Sequence, residues 1–245
     1  PAPRTVVRAL AVSLPAPAVA PTPAPPTPTP APTPRPAPAP SGPIVALGDS
    51  LTYGFGAGVT SAAYGPAPAY SYPWDMARDL GIPVVNAGVS GTTAHEVLDP
   101  SSEAQPRPAA IQLPALLALR PRLIVVGFGT NEAYRGRPIA ETVADFRVLL
   151  GTIAAAHVPI VLVGTHVDCW VQQGCPDAQK PIAQVYTAAW DAALTSLAAE
   201  YQAGLVLDVE HGFTAADMTD WIHCDAQGYR LMAGRIEVAV RGRLG

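Results

Sequence analysis

Five residues of this sequence are of the types that acyl transfer through a serine requires. They are Ser50 in Gly-Asp-Ser-Leu, Gly88, Asn131, and the pair Asp220 and His223 in Asp-Trp-Ile-His. A serine hydroxyl attacks a carbonyl only when a base removes its proton, and histidine is the base that works near neutral pH. An aspartate three residues earlier can hold the imidazole in the tautomer that presents a bare nitrogen to the serine. The set predicts a catalytic triad of Ser50, His223 and Asp220.

The same chemistry needs an oxyanion hole, because the tetrahedral intermediate carries a negative oxygen. The backbone N–H groups of Ser50 and Gly88 and the side-chain amide of Asn131 would supply three donors. Glycine suits such a position, since without a side chain it lets the substrate carbonyl approach the backbone. We predict that the mechanism uses no cofactor and no metal. Because the base must be neutral to accept a proton, activity is expected to rise with pH through a histidine titration.

The sequence also contains competitors for these roles. Ser90 in Gly-Val-Ser-Gly is a second serine after a predicted strand, and Asp208-Val-Glu-His211 is a second Asp-x-x-His. His211 lies near the end of a predicted strand, which favours it as an alternative base. Ser50 could instead cap the helix that follows it. The order of the motifs along the chain favours Ser50 over Ser90 and His223 over His211.

Alternating apolar runs and helix-like segments predict the elements that position these residues. Five runs without polar alternation predict strands buried on both faces, at 44–47, 83–86, 123–127, 159–164 and 205–208. Helices are predicted at 72–80, 109–119, 139–156, 182–201 and 226–241. Strands that alternate with helices pair in parallel through right-handed crossovers. We therefore predict an α/β fold, a three-layer α/β/α sandwich with about five parallel strands.

In such sheets the chemistry lies beyond the carboxyl ends of the strands. Ser50 follows the first predicted strand, Gly88 the second and Asn131 the third, while Asp220 and His223 precede the last helix. We therefore expect all five residues to meet at one rim of the sheet.

This ordered set resembles the GDSL, or SGNH, hydrolase family, particularly its single-domain bacterial esterases, thioesterases and lysophospholipases, over residues 44–242. The resemblance implies a flavodoxin-like fold, Ser50 as nucleophile, and Asp220 and His223 as the rest of the triad. It implies Gly88 and Asn131 as oxyanion donors. The chain departs from the family in two places: Glu132 stands where an aspartate is usual and Cys224 where a proline often follows the histidine.

Proline divides the chain, because 16 of its 29 prolines lie in residues 1–43. Residues 1–20 contain two arginines, an apolar stretch and Ala-Val-Ala, which is typical of a signal peptide, although they could equally be more of the same tail. Residues 21–43, rich in Pro, Thr and Ala, predict an extended, disordered linker. Residues 44–245 are predicted to form the hydrolase domain. This organisation predicts a secreted or cell-envelope protein with its domain spaced by the linker.

Charge and cysteine content restrict the partners. Residues 44–245 carry 12 basic and 19 acidic groups, which argues against nucleic-acid binding. No run of 18 apolar residues predicts a membrane span. In an exported protein Cys169 and Cys175 are predicted to form a disulfide, with Cys224 as an alternative partner, and no spacing matches a zinc site. We expect a small-molecule ester or acylated substrate and a monomer.

Aromatic residues near the predicted nucleophile suggest the substrate pocket. They are Tyr53, Phe55, Tyr64, Tyr70, Tyr72, Trp74, Tyr134, Trp170 and Trp221. They could line an acyl or aryl pocket, stack on sugar rings, or cover the core. We predict a serine esterase for short to medium acyl esters, whether aryl, alkyl, lysophospholipid-like or thioester. The alternatives are a carbohydrate O-acetyl esterase and an inactive, surface-tethered binding module.

Overall fold

The computed structural model describes residues 41–58, 68–102, 107–164 and 180–245, with residues 180–185 described by their backbone alone. Its centre is a sheet of five parallel strands in the order β2-β1-β3-β4-β5. The strands are β1 (Ile44–Gly48), β2 (Val84–Gly88), β3 (Leu123–Gly127), β4 (Ile160–Val163) and β5 (Gly204–Val206). The predicted α/β fold with about five parallel strands is confirmed.

Helices cover both faces of the sheet. They are α1 (Ser50–Tyr53), α2 (Tyr72–Leu80), α3 (Ala94–Leu98), α4 (Leu113–Ala118), α5 (Thr130–Tyr134), α6 (Ile139–Ala155), α7 (Lys180–Glu200) and α8 (Ala226–Leu244). Short 3-10 helices span Pro100–Ser102, Ala109–Ile111 and Ala215–Asp217. None of the helices within the described ranges is long and apolar enough to cross a membrane.

The strands are apolar throughout because successive side chains enter two different cores. In β1, Val45 and Leu47 pack toward α3, α4, α6 and α7, whereas Ile44 and Ala46 pack toward α2 and α8. All four side chains are fully buried. This two-sided burial is the physical reason for the continuous apolar runs in the sequence.

Two predicted elements need correction. The helix expected over 109–119 is a 3-10 turn, Ala109–Ile111, followed by a separate helix α4 with Pro114 in its first turn. Proline fits the first turn of a helix, where its missing N–H costs nothing, so the helix begins there. The strand expected over 205–208 is Gly204–Val206, and Asp208 lies beyond it.

Three glycines end β1 and its two neighbours, β2 and β3, at the same level. Gly48 pairs with Gly88 of β2 and with Gly127 of β3. A Cβ at Gly48 would lie 2.0 Å from Thr52 Oγ1. The missing side chains let α1 fold back tightly over the strand ends, so that Ser50 begins a helix immediately beyond the sheet.

Several predictions lie outside the described residues. They are the signal peptide and linker up to residue 40, the disulfide between Cys169 and Cys175, and the side chains of Tyr64 and Trp170. Cys224 is fully buried, with its Sγ 3.8 Å from Glu210 Oε1. The domain boundaries stay a prediction.

Candidate active site

The structure brings Ser50, His223 and Asp220 into one hydrogen-bonded row. Ser50 begins α1 directly after β1, and its Oγ lies 3.0 Å from His223 Nε2. His223 Nδ1 lies 2.8 Å from Asp220 Oδ2. The row therefore joins residues that are 173 positions apart in the chain. One imidazole nitrogen faces the hydroxyl and the other faces the carboxylate, which is the arrangement that proton transfer from Ser50 requires.

Asp220 is fixed by the turn in which it lies. Its Oδ1 accepts hydrogen bonds from the backbone N–H groups of Ile222, at 2.8 Å, and His223, at 2.7 Å. Burial raises the pKa of Asp220, but the hydrogen bonds from His223 and Ile222 outweigh it and lower the pKa to about 2. The carboxyl is therefore ionised at neutral pH, and it can stabilise an imidazolium.

The segment after α1 also contacts the His223 ring and the loop that carries it. The Phe55 and His223 ring centroids are 4.6 Å apart. The Phe55 carbonyl accepts a 2.7 Å hydrogen bond from the Tyr229 hydroxyl, and the Gly56 carbonyl accepts one of 3.1 Å from Thr219 Oγ1. These contacts join the chain after Ser50 to the loop before α8, which keeps the imidazole near the hydroxyl.

Gly88, predicted as an oxyanion donor, is not supported in that role, because it does not line the cavity that Ser50 lines. It is the last residue of β2, and its N–H donates to Asn86 Oδ1 at 2.9 Å, so this proton already has an acceptor. The glycine is needed for packing instead, because a Cβ there would lie 2.2 Å from the backbone nitrogen of Tyr53 in α1. The absence of a side chain at Gly88 thus lets α1, which begins at Ser50, lie close to the end of β2.

Gly91, unlike Gly88, lines the cavity beside Ser50. Its backbone has a φ of 80°. Within the described residues, no hydrogen bond engages the backbone N–H of Gly91 or of Ser50. Sequence reasoning missed Gly91 because it lies three residues beyond the strand end; the only signal was a second glycine in the Gly-Val-Ser-Gly segment.

The Asn131 amide faces the cavity from the start of α5. Its Nδ2 donates to the Thr92 carbonyl at 2.9 Å and to Asp49 Oδ2 at 3.2 Å. Asp49 Oδ1 accepts the backbone N–H of Leu51 at 2.9 Å and so caps α1. Asp49 therefore connects the helix that carries Ser50 to the one that carries Asn131.

Glu132 explains one departure from the family pattern. It is almost completely buried, and its two oxygens accept the backbone N–H groups of Ala94, at 2.7 Å, and Gly129, at 2.9 Å. Burial raises the pKa of Glu132 to about 7. The side chain thus ties the start of α3 to the start of α5, a role in fixing the site's framework.

The competing residues do not form an equivalent pair. The His211 side chain is 77% exposed and pairs with Asp208 at 2.8 Å, away from the cavity that Ser50 lines. Ser90 lines that cavity, but its hydroxyl has no hydrogen-bond partner among the described residues. The structure therefore places a base beside Ser50 and none beside Ser90.

The cavity above Ser50 has a volume of about 420 Å³. Of the predicted aromatic residues, Phe55, Tyr134 and Trp221 line it. Tyr53 and Tyr72 are instead buried in the interior of the protein. Tyr70 and Trp74 are exposed and lie against each other, with ring centroids 5.5 Å apart, outside the cavity.

Across the ranges that the structure describes, no three His, Cys, Asp or Glu side chains cluster as metal ligands.

Comparisons with known proteins bear on the family and the fold of the chain. The sequence pattern of the GDSL-like lipase/acylhydrolase family matches residues 46–231. No curated protein matches the chain significantly. A psychrotrophic esterase from Pseudoalteromonas sp. is 18% identical with a TM-score of 0.62, over 82% of this chain and 98% of that one. A carbohydrate acetylesterase family member from Sinorhizobium meliloti is 20% identical with a TM-score of 0.56, over 82% and 98%.

An acetylxylan esterase from Geobacillus stearothermophilus is 18% identical with a TM-score of 0.55, over 84% of this chain and 94% of that one. At these identities the likeness to solved structures concerns the fold. The family match covers most of the chain and includes Ser50, Asn131, Asp220 and His223. The chain therefore belongs to the GDSL-like lipase/acylhydrolase family.

Proposed function

We propose that the protein is a serine esterase that hydrolyses short to medium acyl esters through an acyl-enzyme. The observation that carries this proposal is the hydrogen-bonded row of Ser50, His223 and Asp220 at an open cavity. A serine with only a capping or packing role has no need of a histidine that is itself held by a carboxylate. A serine needs a base in contact with its hydroxyl to act as a nucleophile, and His223 is that base for Ser50.

In the first half of the reaction, Ser50 Oγ bonds to the substrate carbonyl carbon while His223 Nε2 takes the hydroxyl proton. Asp220 stabilises the resulting imidazolium. When the tetrahedral intermediate collapses, the carbon–oxygen bond to the alcohol breaks and His223 gives its proton to the departing oxygen. In the second half, His223 takes a proton from water, whose oxygen attacks the acyl carbon, and returns it to Ser50 as the acid leaves.

The negative oxygen of both intermediates would be bound by the Ser50 and Gly91 N–H groups and the Asn131 amide. Both amide protons of Asn131 have protein acceptors, of which Asp49 is the more distant at 3.2 Å. We infer that the substrate oxygen shares this proton, since the amide remains held by Thr92. Each such donor typically contributes about 10²- to 10³-fold to turnover.

The lining of the cavity favours an uncharged substrate. Its apolar walls are Phe55, Tyr134, Trp221 and Ile222, and among the described lining residues the one carboxylate, Asp220, is engaged by His223. A charged acyl or alcohol group would find no opposite charge there. The volume of about 420 Å³ lies within the range of small-molecule sites, roughly 300–1,000 Å³.

Hydrolysis of p-nitrophenyl acetate, butyrate and octanoate by four proteins tests the proposal. Wild type and His211→Ala are expected to be active, whereas Ser50→Ala and His223→Ala should lose about 10³-fold or more in kcat. Circular dichroism of the two inactive variants controls for folding. Activity in Ser50→Ala, or loss in His211→Ala alone, would contradict the assigned triad. A wild type that neither turns over nor reacts with a fluorophosphonate would support an inactive binding module.

A carbohydrate O-acetyl esterase is the second candidate. Tyr134 is 54% exposed at the cavity, and its ring centroid is 6.4 Å from that of Trp221, so the pair presents an aromatic surface to solvent on which a sugar ring could stack. Two of the similar structures are named as acetyl esterases of carbohydrate substrates. Faster release of acetate from acetylated xylan than hydrolysis of butyryl or octanoyl esters would favour this candidate. The opposite preference would favour the first.

A further inference from the structure

Residues 89–92 form the turn that presents Gly91 to the cavity. The turn is closed on itself by the Thr92 hydroxyl, which donates to the Val89 carbonyl at 2.8 Å, and it is joined to α5 where Asn131 donates to the Thr92 carbonyl. Gly91 itself has little to hold it. A Cβ added there would meet nothing within 4 Å, and its φ of 80° is a conformation from which glycine departs easily.

The contact that does hold Gly91 comes from Arg135. This residue is the C-cap of α5, directly after Tyr134, and its Nη2 donates to the Gly91 carbonyl. Its Nη1 donates to Glu96 Oε1 at 3.0 Å. The planar guanidinium therefore bonds at once to the turn and to α3, a geometry that a lysine cannot reproduce.

Glu96 is itself firmly placed. It is 4% exposed, and its Oε2 accepts the Thr93 N–H at 2.7 Å in the capping box of α3. Burial raises the pKa of Glu96, but the hydrogen bonds from Arg135 and Thr93 outweigh it and the pKa is lowered. Arg135 thus connects Gly91 to a carboxylate that is buried and held by hydrogen bonds from Thr93.

We infer that Arg135 is a positioning residue for the oxyanion hole. It keeps the Gly91 backbone at a fixed place relative to Asn131, which lies one turn earlier on the same helix. This inference rests on the proposed esterase function. Arg135 does not line the cavity, so it acts through Gly91 rather than on the substrate. The Arg135 side chain is 42% exposed, but that of Glu96 is 5% exposed and keeps only its hydrogen bonds from Thr93 when Arg135 is replaced. Turnover and stability must therefore be measured separately.

The test compares Arg135→Met and Arg135→Lys with wild type and with Arg137→Met. Arg137 is a matched control because it pairs with Asp145, at 2.6 Å, and is bonded neither to residues 89–92 nor to Glu96 in the part of the chain described. Each protein is titrated to completion with a fluorophosphonate, and kcat and KM for p-nitrophenyl butyrate are expressed per reactive serine. Thermal unfolding is measured in parallel.

A misplaced oxyanion donor lowers kcat without changing ground-state binding, so Arg135→Met should lose about tenfold or more in kcat with KM within about twofold. Arg135→Lys should lie between Arg135→Met and wild type, and Arg137→Met should match wild type. A kcat per reactive serine within about twofold of wild type in Arg135→Met would overturn the inference. So would a loss confined to the number of reactive serines, which marks a folding role. A wild type without turnover or labelling would instead overturn the proposed function.

Discussion

At the scale of single residues, Asp49 and Asp220 show how surroundings set the charge of a carboxyl group. Burial raises the pKa of both. At Asp220, hydrogen bonds from His223 and the backbone outweigh burial and lower the pKa to about 2. At Asp49, burial dominates, the carboxyl of Glu132 adds to it, and the pKa is raised to about 7. Asp220 is therefore charged at neutral pH, whereas Asp49 titrates in the physiological range.

Asp49 predicts a pH dependence of stability. Its pKa is raised from 3.8 to about 7 on folding, so between these values the folded chain binds a proton that the unfolded chain has lost. The resulting stabilisation is complete below pH 4 and is lost as the pH rises through 7. Relative to Asp49→Asn, the free energy of unfolding of wild type should fall by about 2–3 kcal/mol between pH 5 and pH 8.

Urea denaturation of both proteins at the two pH values measures this difference. Glu141→Gln, which removes a largely exposed carboxyl, serves as the control and should follow wild type. Equal pH dependence in wild type and Asp49→Asn would show that the Asp49 carboxyl is not held protonated by the fold.

At the scale of elements, the site depends on how closely short helices approach the strand ends. α1 begins two residues after β1, and it can do so only because Gly48 and Gly88 have no side chains. The same requirement does not apply at Gly91, which belongs to an open turn. Two glycines three residues apart therefore have different reasons for being glycine.

Alanine substitutions should separate these reasons. In Gly88→Ala the new Cβ collides with the backbone of Tyr53 at 2.2 Å, and relief requires α1 to move. We expect a loss of about 3 kcal/mol or more in the free energy of unfolding, with a fall in kcat because Ser50 moves too. Gly91→Ala adds a Cβ to open space and costs only the strain of a positive φ, about 1–2 kcal/mol. Urea denaturation of the two variants would contradict this if Gly88→Ala were as stable as Gly91→Ala.

At the scale of the whole molecule, the sheet, both cores and the site all lie within residues 41–245. The start of this part is joined to the sheet by Arg122, whose side chain donates to the carbonyls of Gly42, at 2.7 Å, and Ser41, at 3.0 Å. The Arg122 N–H also donates to the Pro43 carbonyl at 3.0 Å. The secreted or cell-envelope location stays a prediction from residues 1–43.

Two truncations test where the folded domain begins. Removal of residues 1–40 keeps the Arg122 contacts, so Tm should stay within about 2 °C of the full chain. Removal of residues 1–43 deletes three of the acceptors bonded to Arg122. At about 1 kcal/mol for each hydrogen bond, it should lower Tm by about 5 °C or more. Differential scanning calorimetry of the three proteins measures this, and equal Tm values for the two truncations would contradict it.

Fold class, family and most residues of the candidate site can be predicted from the sequence alone. Apolar runs and a strand-helix alternation specify a parallel sheet because both faces of such strands must be buried. Ser50, Asn131, Asp220 and His223 were predicted from side-chain chemistry, since a triad and an amide donor require particular residue types. Residue types and their order along the chain are visible in the sequence itself.

The backbone groups that face the cavity cannot be predicted in this way, because they depend on how the chain packs. Every residue has an N–H, so composition does not distinguish Gly88, whose proton is taken by Asn86, from Gly91, whose proton is not. The same holds for His211, whose Asp-x-x-His pattern matches that of His223 but whose side chain is exposed. Which donors, bases and supporting charges meet is set by how distant segments pack, and residue type alone does not contain that information.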